Sequence, residues 1–543
     1  MAEATPRGAT SDAPAEAAVP SCGEAIVRLL EQYGVDTVFG IPGVHTLEIY
    51  RGLAASGIQH VSPRHEQGAA FMADGYARVA GKPGVCILIT GAGLTNAATP
   101  IAGAYHDSIP MLVISSATAR ADNGLGHGTL HDLPDQQAFM ATITAESIDL
   151  RDPADLPEAF ARAYGIFESE RPRPVHIGIP IDVLDLPAPA WERLPARAEP
   201  PVADPALVAR AVELLADAQS PMLLLGGGAI AAGAEAVAVA ERLGAPVGMT
   251  VNAKGLVPDE HPLSLGTTLT LRPVHAAYGE ADVVLAVGTE FSETDYFYTP
   301  NAGAPEFSGS LIRVDIDAEQ LQSQRSAAIG LEGDARATLA AIDAGLATLG
   351  REHTAGAERA AALRGGRWWP GAEVHLPFLA ALDRGMPDDA ILVADSTQPA
   401  YVAHHSWRGR TPRAYIAPSG FGTLGPALPI AIGAKLAAPD RPVVALAGDG
   451  GALFTIQELA AAADLGLPIA FVIWQNDGYG EMRDSMDRIG AQRLGTEISA
   501  RDFVKLAEGF GCVGVRTGSL DDLPGALAEA FAADRPTLIE VRG

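Results

Sequence analysis

The feature that most constrains this chain is an alternation, run through three times, of short apolar runs with helix-length segments. Runs such as VHIGIP (175–180), ADVVLAVGT (281–289) and LPIAFVIWQN (467–476) are rich in β-branched residues and end on Gly, Pro, Thr or Asn. They read as strands buried on both faces, and such strands separated by helices make a parallel sheet covered by helices on both sides. A first set of strands falls at 37–39, 85–90, 111–115 and 175–180. Helices are predicted over 23–33, with Ser21 as cap and Gly34 as stop, over 66–79, and after Gly93. A second set of strands lies at 221–230, 246–250, 281–289 and 310–317, and a third at 390–396, 442–450, 467–476 and 536–541. The expected fold class is α/β, with three doubly wound parallel-sheet domains.

A length of 543 residues agrees with that number of cores. Residues 1–20 are small and lack the apolar centre of a signal peptide, so they are expected to be a disordered lead-in. The domains are then 21–185, 207–349 and 372–543, joined by a proline-rich linker at 186–206 and a polar, irregular crossing at 350–371. A formal charge of −28 argues against nucleic acid and against an anionic membrane, both polyanions. Three scattered cysteines without a CxxC pair exclude a disulfide scaffold and fit a reducing cytoplasm. No apolar run has the length of a membrane span.

The chemistry concentrates in GDGGALFTIQELAAAADLGLPIAFVIWQND, residues 448–477. Asp449 is expected at the end of a buried strand, and Gly448, Gly450 and Gly451 let backbone amides close on a phosphate at the following helix. The next strand delivers Asn476 beside Asp449. A carboxylate, an amide oxygen and a carbonyl at Gly478 are hard ligands suited to Mg²⁺ that also holds diphosphate oxygens. A second signal is Glu66 in RHEQGAAFMADGYAR, either a helix-start carboxylate or an acid held for proton transfer.

This segment resembles the diphosphate anchor of thiamine-diphosphate enzymes of the acetolactate synthase, pyruvate decarboxylase and benzoylformate decarboxylase type. FGIPGVHTLEIYRGL, SPRHEQGAAFMADGYAR and GFGTLGPALPIAIGAKLA resemble further family segments, so the likeness runs from about Ser21 to Arg542. PGVHTLEIYRGL, LHDLPDQ, GTEFSETDY and DSTQPAY together are most similar to bacterial 5-guanidino-2-oxopentanoate decarboxylases. The resemblance implies pyrimidine-binding, central and diphosphate-binding domains in that order, and thiamine diphosphate with Mg²⁺ as cofactors. It also implies a homodimer or homotetramer in which two chains share each cofactor. Glu66 would hydrogen-bond the aminopyrimidine ring. The Gly422 carbonyl and Leu424 amide would grip that ring while the Leu424 side chain bends the cofactor. Ser396, Thr397 and Gln398 would contact the diphosphate.

The reaction implied is decarboxylation of a 2-oxo acid, a small-molecule substrate, to an aldehyde. The alternatives are an acetolactate-synthase-type carboligase and a non-catalytic cofactor-binding homologue. Related decarboxylases carry an acid after the early Pro-Gly loop, where this chain has Val44, and His45 beside it is not counted as its replacement. His131, in LHD, is either a polar loop residue or the proton donor, and is preferred as the donor. His127 and His131 have a zinc-like spacing, but the Gly-rich sequence between them is a poor helix. For a guanidinium tail the acids available are Glu481, Asp484, Glu293 and Asp295. The GGGAIAAG turn (226–233) resembles a nucleotide loop weakly, and FAD, bound there by some relatives, is not expected.

Overall fold

The computed structural model describes residues 19–191, 194–297, 303–350, 355–364, 368–499 and 501–543. Its strands form three sheets of six, all parallel. The first holds β1 (Thr37–Gly40), β2 (Gln59–Val61), β3 (Gly84–Leu88), β4 (Met111–Ala117), β5 (Glu146–Asp149) and β6 (Val175–Pro180), in the order β2-β1-β3-β4-β6-β5. The second holds β7 (Met222–Leu225), β8 (Val247–Met249), β9 (Ser264–Gly266), β10 (Val283–Val287), β11 (Ser310–Asp315) and β12 (Ile329–Glu332), in the order β12-β11-β10-β7-β8-β9. The third holds β13 (Ile391–Ala394), β14 (Tyr415–Ile416), β15 (Val443–Gly448), β16 (Ile469–Gln475), β17 (Val513–Arg516) and β18 (Thr537–Arg542), in the order β14-β13-β15-β16-β18-β17.

In each sheet the winding reverses at a central pair of strands, β1 and β3, β7 and β10, or β13 and β15, and in the first and third sheets it turns back again at the edge, where β5 lies outside β6 and β17 outside β18. At such a switch point the loops leaving adjacent strands diverge, and a crevice opens at the carboxyl ends. Pro42-Gly43 and Gly91 follow the strands at the first reversal. Ser396 and Asp449 follow the strands at the third.

Ser21 caps the helix Cys22–Gln32 in a reciprocal box with Glu24, as its position suggests. Several expectations need correction. The strand at 443–448 stops at Gly448, and Asp449 opens a short helix, Asp449–Ala452. Residues 1–18 lie outside the described residues, but Pro20 is fastened, its carbonyl accepting the Ala188 N–H at 2.9 Å. The stretch at 186–206 is not wholly a surface connector. Ser21 and Pro187 form an antiparallel bridge, Ala188 is buried, and the helix Pro205–Asp217 begins within it. The polar crossing at 350–371 holds a helix, Gly356–Leu363.

The first and third sheets share one core. The helix Glu66–Ala80 lies on the helix Ala427–Ala437, and Phe71 and Met72 belong to the same apolar cluster as Ile430 and Phe471. Two glycines allow the approach. A Cβ at Gly433 would sit 1.9 Å from the Met72 carbonyl, and one at Gly75 would sit 2.2 Å from that of Ile430.

Candidate active site

At the third switch point three oxygens converge. Asp449 accepts the Gly450 N–H on Oδ1 at 2.9 Å and the Gly478 N–H on Oδ2 at 3.0 Å. The Asn476 side-chain oxygen stands 3.2 Å from Asp449 Oδ1 and 2.9 Å from the Gly478 carbonyl oxygen. Acceptors meeting without a donor repel each other. The 2.9 Å spacing equals the edge of about 2.9 Å expected for an octahedron of oxygens around a small divalent cation, and the 3.2 Å spacing is slightly longer. Burial pushes the Asp449 carboxyl up, and the amides of Gly450 and Gly478 oppose it by favouring its charged form.

The glycines are required here. A Cβ at Gly450 would meet the Tyr479 ring at 2.7 Å, and one at Gly448 would meet Thr397 Oγ1 at 2.9 Å. Thr397 thus lies against the anchor turn, at the start of the helix Gln398–Ser406. The Ser396 hydroxyl donates to the Thr423 carbonyl at 3.0 Å and so ties this turn to the loop carrying Gly422 and Leu424. Gly422 is exposed in a left-handed conformation (φ 68°), and Leu424 is half-buried. Gln398 faces Asp484 and Asn476 instead of the anchor turn.

Sequence reading missed Asp395, the buried carboxylate that holds this loop. It accepts the N–H groups of Ser396, Gly425 and Ala427, and burial raises it to about 6. Its signal was its place, an acid directly after an apolar strand.

At the first switch point the chain gathers His45, Glu66 and His131. Glu66 opens its helix and accepts from Asn96 Nδ2 at 3.0 Å. His131 has a left-handed backbone (φ 65°), and its carbonyl receives the Thr90 hydroxyl at 3.3 Å. Gly91 permits that contact, since a Cβ there would fall 2.4 Å from the His131 oxygen. The His45 ring stands edge-on to the His131 ring at 5.3 Å between centroids, with Nδ1 buried and unpartnered. Burial first, and His131 second, lower the His45 pKa. Sequence alone had no means to pair these two, which are 86 positions apart. His127 sits apart on the surface, 3.7 Å from Asp122.

A second missed residue joins the two regions. Glu458, fully buried, takes the Arg64 N–H on both carboxylate oxygens, at 3.2 and 3.0 Å. It therefore secures the segment just before Glu66 from the opposite domain. Arg64 and Asp464 add an ion pair beside it.

At the second switch point a cavity of about 430 Å³ lies among the three domains, bordered by Gly226–Gly228, Gly288, Arg171 and Arg413. The glycines there serve backbone packing, since a Cβ at Gly226 would meet the Gly288 carbonyl at 2.1 Å. They do not by themselves indicate a nucleotide. Asp295 borders this cavity, buried and accepting the Val251 N–H at 3.0 Å, and Glu293 lies near it in the central domain.

Residues 20–139, 208–342 and 395–541 match, in turn, the N-terminal TPP binding, central and C-terminal TPP binding domains of thiamine pyrophosphate enzymes. The chain belongs to that family. This thiamine pyrophosphate enzyme is 48% identical over 531 residues to the probable 2-ketoarginine decarboxylase of Pseudomonas aeruginosa, an alignment covering 96% of this chain and 94% of that one. It is 32% identical over 545 residues to the acetolactate synthase isozyme 1 large subunit of Escherichia coli, covering 96% and 93%. It is also 32% identical over 555 residues to a probable acetolactate synthase large subunit of Methanocaldococcus jannaschii, covering 95% and 91%. The three matched segments contain the loops that leave the strands at the switch points described above. Among the described residues no helix is long and apolar enough to cross a membrane.

Proposed function

We propose that this chain is a Mg²⁺- and thiamine-diphosphate-dependent decarboxylase of 5-guanidino-2-oxopentanoate, releasing carbon dioxide and the aldehyde one carbon shorter. The observation that carries the anchor is the meeting of the Asp449, Asn476 and Gly478 oxygens, a donor set for Mg²⁺ with Asp449 supplying the charge. The backbone of Gly448 and Gly451, with Ser396 and Thr397, would face the diphosphate, and Gly450, whose N–H is held by Asp449, would let the turn approach it. Gln398 contributes through Asn476. The Gly422 carbonyl and Leu424 amide would hold the pyrimidine, and the Leu424 side chain would support the cofactor from below. When bound, thiamine diphosphate supplies the electron sink for the carbon that loses its carboxylate.

Glu66 holds the proton shared with the pyrimidine ring nitrogen, kept in place by Asn96. His131 donates the proton that replaces the departing carboxylate. The substrate assignment rests on the 2-ketoarginine named for the 48% relative, which is 5-guanidino-2-oxopentanoate. Glu481 is the acid proposed to face the guanidinium. It lies near Tyr401, whose hydroxyl is raised by burial first and by Glu481 as well.

The active unit is proposed to be a homodimer or a pair of dimers. Val44 and Leu47, 63% and 55% exposed beside the Pro-Gly loop, and Phe421 and Phe454 beside the anchor, are apolar surface that a second copy would cover. The hydrogen bond of Glu66 stays within its own domain, which suits a site completed by another chain. The buried free thiols of Cys22, Cys86 and Cys512 support a cytoplasmic setting.

The test is incubation with a panel of 2-oxo acids that includes 5-guanidino-2-oxopentanoate and pyruvate, following carbon dioxide and organic products. The guanidino acid should give aldehyde with the highest kcat/KM. A 2-hydroxy ketone from pyruvate as main product would make the chain a carboligase instead, the reading its acetolactate synthase relatives support. Cofactor binding without turnover of any acid would leave a non-catalytic homologue.

A further inference from the structure

We propose that Asp484 and Gln398 are positioning residues of the cation site, because they decide which way the Asn476 amide faces. The inference rests on reading Asp449, Asn476 and Gly478 as the ligands. A primary amide carries an acceptor at one end and a donor at the other, so its neighbours set its direction. Gln398 Nε2 donates to Asp484 Oδ2 at 2.6 Å. That leaves Gln398 Oε1 free to accept, and it takes Asn476 Nδ2 at 3.3 Å. The Asn476 oxygen is thereby turned toward Asp449 Oδ1 and the Gly478 carbonyl.

Released from this chain, the amide gains by turning over, since its NH₂ would donate to both oxygens at 3.2 and 2.9 Å. It would then point N–H groups at the place a cation needs. A carboxylate at 484 can only accept, so the chain runs in one direction.

Two further features fit this role. Gly480 lies over the amide pair, where a Cβ would come 2.4 Å from Asn476 Nδ2 and 2.6 Å from Gln398 Oε1. Arg483 holds the Asn476 carbonyl at 2.7 Å. Arg483 and Asp484 belong to one helix, Gly480–Arg488, so this helix fixes both the backbone and the amide of the ligand.

The measurement is Mn²⁺ binding in the presence of thiamine diphosphate, read from the electron paramagnetic resonance of free Mn²⁺ and so independent of turnover. Asp484→Lys puts a donor where the acceptor stood, and should weaken Mn²⁺ by roughly ten- to a hundredfold, the scale seen when residues that orient metal ligands are lost. Asp484→Asn removes the charge but keeps an acceptor, and should stay near wild type. Adding Gln398→Glu to Asp484→Lys supplies acceptors to both neighbours and should restore binding. Asp484 is exposed on its helix, so these variants should fold, and an unchanged thermal midpoint checks this.

Asp449→Ala tests the ligand assignment itself. If it loses Mn²⁺ while Asp484→Lys binds as wild type, the positioning role is wrong and the ligands stand. The positioning role is equally wrong if Asp484→Lys raises only the KM of the guanidino acid. Normal Mn²⁺ binding by Asp449→Ala would remove the ligand set and this proposal with it.

Discussion

Both carboxylate oxygens of Glu458 accept the backbone N–H of Arg64, two residues before Glu66, across the boundary between the third and first domains. Burial raises this carboxyl from 4.5 to about 7 against the pull of those amides. Its folded pKa is above its unfolded value, so the folded chain binds the extra proton. Its contribution to stability is therefore fully present below pH 4.5 and is lost as pH rises through about 7. The expected loss is about 3 kcal/mol across that window. Glu458→Gln cannot titrate, and it turns a donor toward the Arg64 amide. The stability advantage of wild type over Glu458→Gln should shrink from pH 5 to pH 8, as followed by thermal or urea midpoints.

Asp449→Ala should abolish joint binding of thiamine diphosphate and Mg²⁺, because the converging oxygens lose their only charged member. Calorimetry reads this directly. Unchanged cofactor affinity would show that the anchor lies elsewhere.

Glu66→Gln should keep cofactor affinity within roughly tenfold and lower turnover by at least about a hundredfold, the scale of lost acid-base help. Proton–deuterium exchange at the thiazolium carbon should slow in parallel by NMR. Mixed with Asp449→Ala subunits, it should recover activity, because a heterodimer with shared sites holds one site intact at both positions. Verified heterodimers that stay inactive would overturn the shared site.

His131→Asn should slow aldehyde release by about a hundredfold if it donates the last proton. It should also move the His45 titration upward, since a like-charged neighbour is removed while burial remains. Of the nearby carboxylates, Glu48 is paired with Arg51 and Asp182 with Arg120. Carbon-13 labelling of the histidine rings in the cofactor-free protein reads that shift without turnover.

Gly433→Ala places a methyl group where the Met72 carbonyl now lies. The helices must part, and a loss of about 1–3 kcal/mol is expected, as for overpacked cores. A urea midpoint equal to wild type would mean that the two domains are not clamped there.

The strands legible in the sequence were the inner four of each sheet. Runs such as β10 and the first six residues of β16 are apolar along their length because both faces are covered, and that demand is written locally. The edge strands β2, β5, β9, β12, β14 and β17 went unread. QHV and ESID are short and only partly buried, and they become strands through the neighbour they pair with. The meeting of Asp449 with Asn476 and Gly478 was legible for the same reason as the inner strands. These residues sit at the ends of two consecutive strands, where spacing along the chain matches spacing in the fold.

What the sequence determined by itself was thus the succession of buried strands, the glycine-rich turn at 448–451 and the family of the chain. Tertiary structure alone decided which distant groups meet. His45 faces His131, Glu458 reaches Arg64, and Asp484 acts on Asn476 through Gln398, 78 positions away from it. Each of these contacts joins loops from different strands, and the direction of an amide depends on neighbours that the chain assembles only when folded.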